Sequence, residues 1–537
     1  MSEQPAAATN FSEAVLANQQ ILAARLGSRY DFVVCGAGSS GSVVAARLAE
    51  NPDVNVLLLE AGGDDNVDSV TQASLWPTNI GSERDWNFQG LPNSHINGRS
   101  LPFSMGKVLG GGSSINVMIW ARGHRGDWDL FATETGNPAW GYDAVLRTYR
   151  QIEDWHGVPD PDYRGIGGRV FVQPVAEPQP LARATLQSAS LMDIPTFENP
   201  NGRMMEGPAG AAITDVRCRE DKRQSVFRSY TYPLMDRPNL TVLTGAYVRR
   251  LICDSKAVTA VEFSHQGRIR RAAVDHEVVL SLGAINTPRV LMHSGIGEPS
   301  ELSRVGIPLR HALPGVGHNF QDHVGFDCVW ESPTPIPPRT IAEAVVCAPA
   351  KSGSDAPDFF ICQAGFALST PEVIATFGLP AAGWTLRGAL SHPQSRGRLR
   401  LTGPDPCDPI EIDANTLADS ADLTAAKECI ELCREIGNAG PLREYAEREW
   451  IPGPLTGPEL EKFVRDSAST YWHEAGTAKM GRDDMSVVDG WLKVHGIDKL
   501  RIADGSVMPR ITTANTMAPC VIIGERAAEF LIAEHGL

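Results

Sequence analysis

Two polar side chains near the C-terminal end of this 537-residue chain stand among small and apolar residues. His473 lies in Tyr471-Trp472-His473-Glu474-Ala475-Gly476-Thr477, and Asn515 in Thr513-Ala514-Asn515-Thr516-Met517-Ala518-Pro519. An imidazole takes up a proton near neutral pH at modest cost, so His473 is a candidate general base. The bland reading is a histidine that ties down a loop. Asn515 could aim its amide at a substrate hydroxyl, or could simply cap the helix that follows. The residues alone leave those two readings even. A Ser-His-Asp triad is not signalled, because no G-x-S-x-G elbow is present.

These groups need a partner molecule, and the N-terminal part supplies a place for one. Tyr30 to Cys35 reads as an apolar strand and Gly36-Ala37-Gly38-Ser39-Ser40-Gly41 as a G-x-G-x-x-G turn. A small-residue helix and a second apolar strand ending in Glu60 follow. In such a unit Gly36 permits the turn, Gly38 lets a pyrophosphate approach, and Gly41 lets helix and strand pack closely. The N–H groups opening the helix point at phosphate, and Glu60 is placed to accept from an adenosine ribose. The competing reading is an ordinary α/β turn without ligand. A second glycine run, Gly110-Gly111-Gly112-Ser113-Ser114, lies between apolar flanks and leads into a stretch compatible with a helix. Backbone amides and small hydroxyls there form a cradle for phosphate or a flavin ring. Asp504 and Gly505, after a short strand, could bind ribityl or phosphate groups.

Bulk composition narrows the classes. The formal charge, 48 − 64 = −16, argues against a nucleic-acid partner. Hydrophobic content of 42% with 21% charged residues is ordinary globular usage, and the length implies two or more domains. Ten scattered cysteines with no C-x-x-C pair predict reduced thiols and no metal site. There is neither a basic-then-apolar leader nor an apolar run of membrane-spanning length, so the expected location is cytoplasmic.

The elements that must position these groups are read from periodicity. Residues 11–25 have helical spacing, and 65–100 read as an extended loop crossing the nucleotide domain. Strands are expected at 240–244, 248–252, 258–263 and 277–282, the last running through Gly283 into a helix. Further strands at 325–330, 357–366, 384–391, 399–402 and 410–413 precede a long helix near 419–437, which predicts an antiparallel sheet with helices on one face. A final helix from Val521 to Leu531 should close the chain back on the first domain.

With these blocks in order, the sequence resembles the glucose–methanol–choline oxidoreductase flavoproteins over residues 30–537. The nucleotide fingerprint, Gly106 to Asn116, Gly283 to Gly297, Leu313 to His323, and Trp472 to Gly481 with the closing Asn515 segment carry the resemblance. It implies an α/β fold whose second domain is α+β. A Rossmann-like FAD-binding domain (1–155, 205–315 and 465–537) would interleave with a substrate domain (156–204 and 316–464). A six-stranded antiparallel sheet flanked by helices would roof the flavin. Carried over, Gly36, Gly38 and Gly41 face the pyrophosphate, Glu60 the ribose and Val248 the adenine. Gly111, Ser114 and Asn116 line the flavin, and Asp504 reaches the ribityl–phosphate region. Ser39, Ser40, Ala61, Lys107, Val117, Gly505, Asn515 and Thr516 complete the expected cofactor contacts. His473 matches the family's active-site histidine, and Asn515 falls where members carry His or Asn.

The resemblance also frames the reaction. Members that bond covalently to the flavin do so through a histidine at the position held here by Ile115, so the FAD is expected to be non-covalent. No acid matches the carboxylate with which choline-specific members surround an ammonium. The Trp472-His473 pair looks like members that oxidise primary alcohols on small aromatic or heteroaromatic rings, since an indole gains contact with a flat ring. Phe360 and Cys362, or else Phe359, Ile361 and Gln363, would face the substrate, because alternate strand residues point to opposite sides. The expected acceptor is molecular oxygen, with a quinone or other dye as alternative, and the expected assembly a monomer or homodimer. Rival readings are a choline, polyol or aliphatic alcohol dehydrogenase and a flavin-bound lyase of the hydroxynitrile type.

Overall fold

A computed structural model describes residues 4–337 and 342–537. Its first layer is a seven-stranded sheet. Arg29–Cys35 lies between Val56–Leu59 and Arg268–Leu280, parallel to both, and Leu240–Leu243 extends the sheet beside Val56–Leu59. Parallel strands covered on both faces must be apolar at every position. Val33, Val34, Cys35, all of Val56–Leu59 and Val278 to Leu280 are accordingly buried. The first half of Arg268–Leu280 pairs with the antiparallel meander Ala246–Asp254 and Ala257–His265, and its end pairs with Leu500–Ile502.

Helix Ser39–Ala49 packs on this sheet, and the C-terminal helix Met517–His535 packs on Ser39–Ala49. A Cβ on Gly524 would lie 2.8 Å from the Ser40 carbonyl oxygen, so the two helices touch almost backbone to backbone. Ser40 Oγ donates to the Cys520 carbonyl at 2.6 Å, and Arg47 pairs with Glu525. The chain end thus returns to the first domain, as its pattern predicts.

The second layer is an antiparallel sheet in the order Arg448–Ile451, Val324–Glu331, Gly383–Leu390, Phe359–Ala364, Ala344–Ala348 and Gly210–Ile213. A seventh, two-residue strand, Ser469–Thr470, pairs with the start of Val324–Glu331, so the sheet has one strand more than expected. Gly210–Ile213 and Ser469–Thr470 belong to this sheet although both fall within segments expected in the FAD-binding domain. Four or fewer residues leave too short a pattern to assign to one sheet over another. Helix Ser420–Gly437 covers the outer face so closely that a Cβ on Gly388 would lie 2.6 Å from Cys429 Sγ.

The stretch after the glycine run is not a helix. Gly111–Ser114 forms one short turn, after which the chain is irregular, with Met118 in the left-handed region. The Asn116 side chain accepts from Met118 N–H at 3.0 Å, the local competition by which asparagine breaks a helix. Residues 65–100 hold short helices (Asp68–Thr71, Ala73–Asn79 and Ser94–Ile96) and the two-residue strand Phe88–Gln89, joined by irregular chain. All ten cysteines are unpaired. No described helix is long and apolar enough to cross a membrane.

Candidate active site

One cavity of about 450 Å³ joins the two halves of the expected site. Gly36, Gly38, Ser39, Ser40, Glu60, Ala61, Gly111, Asn116, Val117, Val248, Asp504, Gly505 and Thr516 line it together with Cys362, Trp472, His473 and Asn515. The fingerprint glycines act differently from one another. A Cβ on Gly41 would sit 1.9 Å from the Gly36 carbonyl oxygen, so Gly41 packs helix on turn and does not reach the cavity. A Cβ on Gly38 would meet only the Ser281 carbonyl oxygen, at 4.0 Å, which leaves that flank open for a ligand.

Glu60 is buried, and its two oxygens accept from Ala37 N–H at 3.0 Å and Gly62 N–H at 2.8 Å. Burial pushes its carboxyl up to about 7 against those hydrogen bonds. Asp504 accepts from Gly283 N–H, Thr287 Oγ1–H and Ser506 N–H, tying the C-terminal segment to the start of helix Gly283–His293. One face of that helix (Gly283, Asn286, Arg289, Val290 and His293) lines the cavity, which the sequence reading did not anticipate.

At the other end His473 stands between two polar neighbours. Its Nδ1 lies 2.8 Å from His323 Nδ1, and its Nε2 lies 3.2 Å from Asn515 Nδ2. The His323 and His473 rings are perpendicular, 5.0 Å apart, and Phe360 packs edge-on against His323. Burial, with a smaller contribution from the Arg387 cation, pushes His473 down to about 3. Burial next to His473 holds His323 well below the usual range as well. Both rings are therefore neutral at pH 7.

Acids away from the cavity fix the loops that carry these residues. Asp322 accepts from His473 N–H at 2.9 Å and from the Thr470 hydroxyl, while Thr470 Oγ1 accepts from Trp472 N–H. Gln321 and Ala475 exchange both backbone hydrogen bonds. Gln321 Oε1 accepts from Ile511 N–H, and Asn319 Nδ2 donates to the carbonyls of Gly476 and Pro509, stapling the His473 loop to the Asn515 loop. Asp127 holds the latter from outside, accepting from Thr513 N–H at 2.7 Å and from His392 Nε2 at 2.8 Å. Burial alone would raise its carboxyl, but His392, Arg510 and Thr513 N–H hold it well below the usual range.

Four of the expected residues do not line the cavity. Gly41 packs as described. Lys107 extends its ammonium over the Trp86 ring, 4.9 Å from the centroid, and is not part of the cavity wall. The Ser114 hydroxyl is buried and donates to the Leu109 carbonyl at 2.6 Å. Phe360 lies behind the wall, between His323 and Tyr471. Its strand nonetheless turns the Phe360–Cys362 face inward, since Cys362 lines the cavity and Phe359 and Ile361 join the main core. Asn515 is not a helix cap. That position falls to Thr516, and the Asn515 amide turns to His473.

The sequence reading gave His323, Tyr471 and Arg387 no role. His323 was visible only as the last residue of a matching run, and nothing local in Gly383–Leu390 marks Arg387.

Comparison with known proteins agrees with this geometry. GMC oxidoreductase family models match residues 30–325 and 393–524. The alcohol dehydrogenase [acceptor] of Pseudomonas putida is 32% identical, over 94% of this chain and 96% of that protein. The oxygen-dependent choline dehydrogenase of Citrobacter koseri is 35% identical, over 93% and 94%. The crystal structure of pyridoxine 4-oxidase from Mesorbium loti superposes with a TM-score of 0.90 at 29% identity, covering 95% of this chain and 100% of that one. With family models over most of its length and the same two-layer architecture, the chain belongs to the GMC oxidoreductases.

Proposed function

We propose that the protein oxidises a primary alcohol on a small aromatic or heteroaromatic ring to the aldehyde. FAD, held without a covalent bond, would be its cofactor and molecular oxygen the final acceptor. The observation that carries this reading is the Nε2 edge of His473, beside the Asn515 amide and open to a cavity that continues to the G-x-G-x-x-G turn. The residues fit the cofactor. Ser281 Oγ, both ring nitrogens of His293 and Glu474 Oε1 lie along the wall, buried and without a protein partner, as a wall that receives polar ligand atoms requires. Gly36, Gly38 and the start of helix Ser39–Ala49 would hold the pyrophosphate, Glu60 the ribose, and Gly111, Asn116 and Asp504 the flavin and its ribityl chain. Ile115, at the covalent-link position, is a buried apolar residue packed with Val70 and Val108.

When bound, the flavin supplies hydride acceptance, which no side chain can provide. The chain's own residues manage the proton. An amide nitrogen only donates, so the His473 Nε2 it faces is unprotonated, and the ring's single proton sits on Nδ1 and is donated to His323 Nδ1. An alcohol entering between His473 and Asn515 gives its hydroxyl proton to Nε2 and accepts a hydrogen bond from Asn515 on the same oxygen. Asn515 stabilises the negative charge growing there as hydride departs. Trp472, 37% exposed and lining the cavity, offers an indole face to a ring-bearing substrate. A panel of alcohols assayed for both peroxide release and dye reduction tests substrate class and acceptor together. Peroxide from aryl alcohols supports the proposal, whereas dye reduction without peroxide replaces the oxidase half of it.

A further inference from the structure

Beside His473 the cavity wall carries an ion pair whose two charges are unequally exposed. Arg387 and Asp327 sit directly opposite on neighbouring strands of the roofing sheet. Arg387 Nη1 donates to both Asp327 oxygens, at 2.8 and 3.0 Å. Arg387 lines the cavity with 17% of its side chain accessible, whereas Asp327 is 1% accessible and does not reach it. The cation faces the substrate space and the anion lies behind it. The guanidinium cannot swing away, because Nη2 donates to Ser469 Oγ and the Thr470 carbonyl, each at 2.9 Å, and the group lies 4.6 Å from the Tyr471 ring centroid. Tyr471 in turn donates to the Arg387 carbonyl oxygen at 2.8 Å.

Nothing else in that wall offsets the charge. Tyr471, Trp472, Asn515, Cys362, Ala364 and Leu368 are uncharged there, and His473 is neutral. Glu474 also lines the cavity, but its Oε1 is buried without a partner and Asp322 stands nearby. Burial and that like charge both push its carboxyl well above the usual range, which favours its neutral form.

We infer that Arg387 is a specificity-determining residue that excludes cationic alcohols, so the substrate ring is uncharged or carries an anion. This deepens the proposed alcohol oxidation and rests on it. It separates the chain from choline-type chemistry despite 35% identity to a choline dehydrogenase. Selection here works by repulsion of the wrong substrate rather than by an added attraction.

The test uses the FAD-loaded protein and three alcohols of similar shape: benzyl alcohol, para-carboxybenzyl alcohol and para-(trimethylammonio)benzyl alcohol. The cation is expected to show kcat/KM about tenfold to a hundredfold below benzyl alcohol, a range consistent with one partly compensated charge in a site of reduced dielectric, while the anion is not penalised. A cation that reacts as well as the neutral alcohol overturns the inference and leaves alcohol oxidation standing. If none of the three reduces the flavin, the proposed reaction fails, and binding decides this inference separately. Benzoate should then perturb flavin fluorescence at lower concentration than phenyltrimethylammonium, and the reverse order overturns it. Arg387→Lys should keep the discrimination. The paired change Arg387→Met with Asp327→Leu, which removes both charges at once, should erase it, and unchanged discrimination in a folded double variant also overturns the inference.

Discussion

The Nδ1 atoms of His323 and His473 are 2.8 Å apart, so one imidazole must donate to the other. With the Asn515 amide turned to donate to the far edge of His473, His473 donates and His323 accepts. The contact holds His473 in the tautomer that presents a lone pair to the alcohol. It also leaves an acceptor in place for the Nδ1 proton once His473 becomes an imidazolium.

His323→Phe, which keeps the ring shape against Phe360 but removes the acceptor, should lower the rate of flavin reduction about a hundredfold with little change in KM. His323→Gln, whose amide oxygen can accept the same proton, should recover most of the loss. Stopped-flow reduction of both variants checks this. Equal rates in the two would show that His323 only fills space.

Asn515→Ala should still bind FAD, because the glycine turns and Glu60 are untouched, yet reduce the flavin about tenfold to a thousandfold more slowly, as expected for loss of one donor to a developing oxyanion. An unchanged rate removes Asn515 from the mechanism.

The first fingerprint makes a paired prediction. Gly41→Ala forces a Cβ to 1.9 Å from the Gly36 carbonyl oxygen and should lower the melting temperature of the cofactor-free protein. Gly38→Ala, whose Cβ meets protein only at 4.0 Å, should leave that temperature nearly unchanged but weaken FAD binding. Thermal melts with and without FAD distinguish the two.

Acid should destabilise the fold partly through His473. Its folded-state pKa, about 3, lies below the value of about 6.5 for an unfolded histidine, so between those values the unfolded chain binds a proton that the folded chain does not. Stability is therefore highest above the unfolded value and falls as pH drops through that window. His473→Gln should flatten the dependence of denaturant stability on pH between 7 and 5, a difference wild type and variant melts would reveal.

Much of this site was legible because its signals are local. The strand, glycine turn, helix and terminal acid at 30–60 depend on neighbours within one βαβ unit. Gly36, Gly38 and Glu60 of that unit line the cavity, and Gly41 packs helix on turn, as the fingerprint spacing expects, rather than facing the ligand as the resemblance implies. The His473–Asn515 pairing followed from resemblance, since residue types alone left Asn515 equally suited to a helix cap. What sequence did not disclose depends on contacts made at a distance. His323 gains its role from a residue 150 positions away, through the Gln321–Ala475 pairing that no local pattern announces. Lys107 and Ser114 sit in the right loop, but an indole face and a carbonyl take their polar ends. Which face of Phe359–Ala364 turns inward was undecidable because every residue but Gln363 is apolar, and only the packing of Phe359 and Ile361 into the main core settles it.

The most direct measurement is anaerobic mixing of the FAD-loaded protein with a primary aryl alcohol, comparing wild type with His473→Ala. The account predicts that the wild-type flavin absorbance bleaches while the variant keeps its bound FAD and stays oxidised. Full bleaching of His473→Ala at the wild-type rate would contradict it.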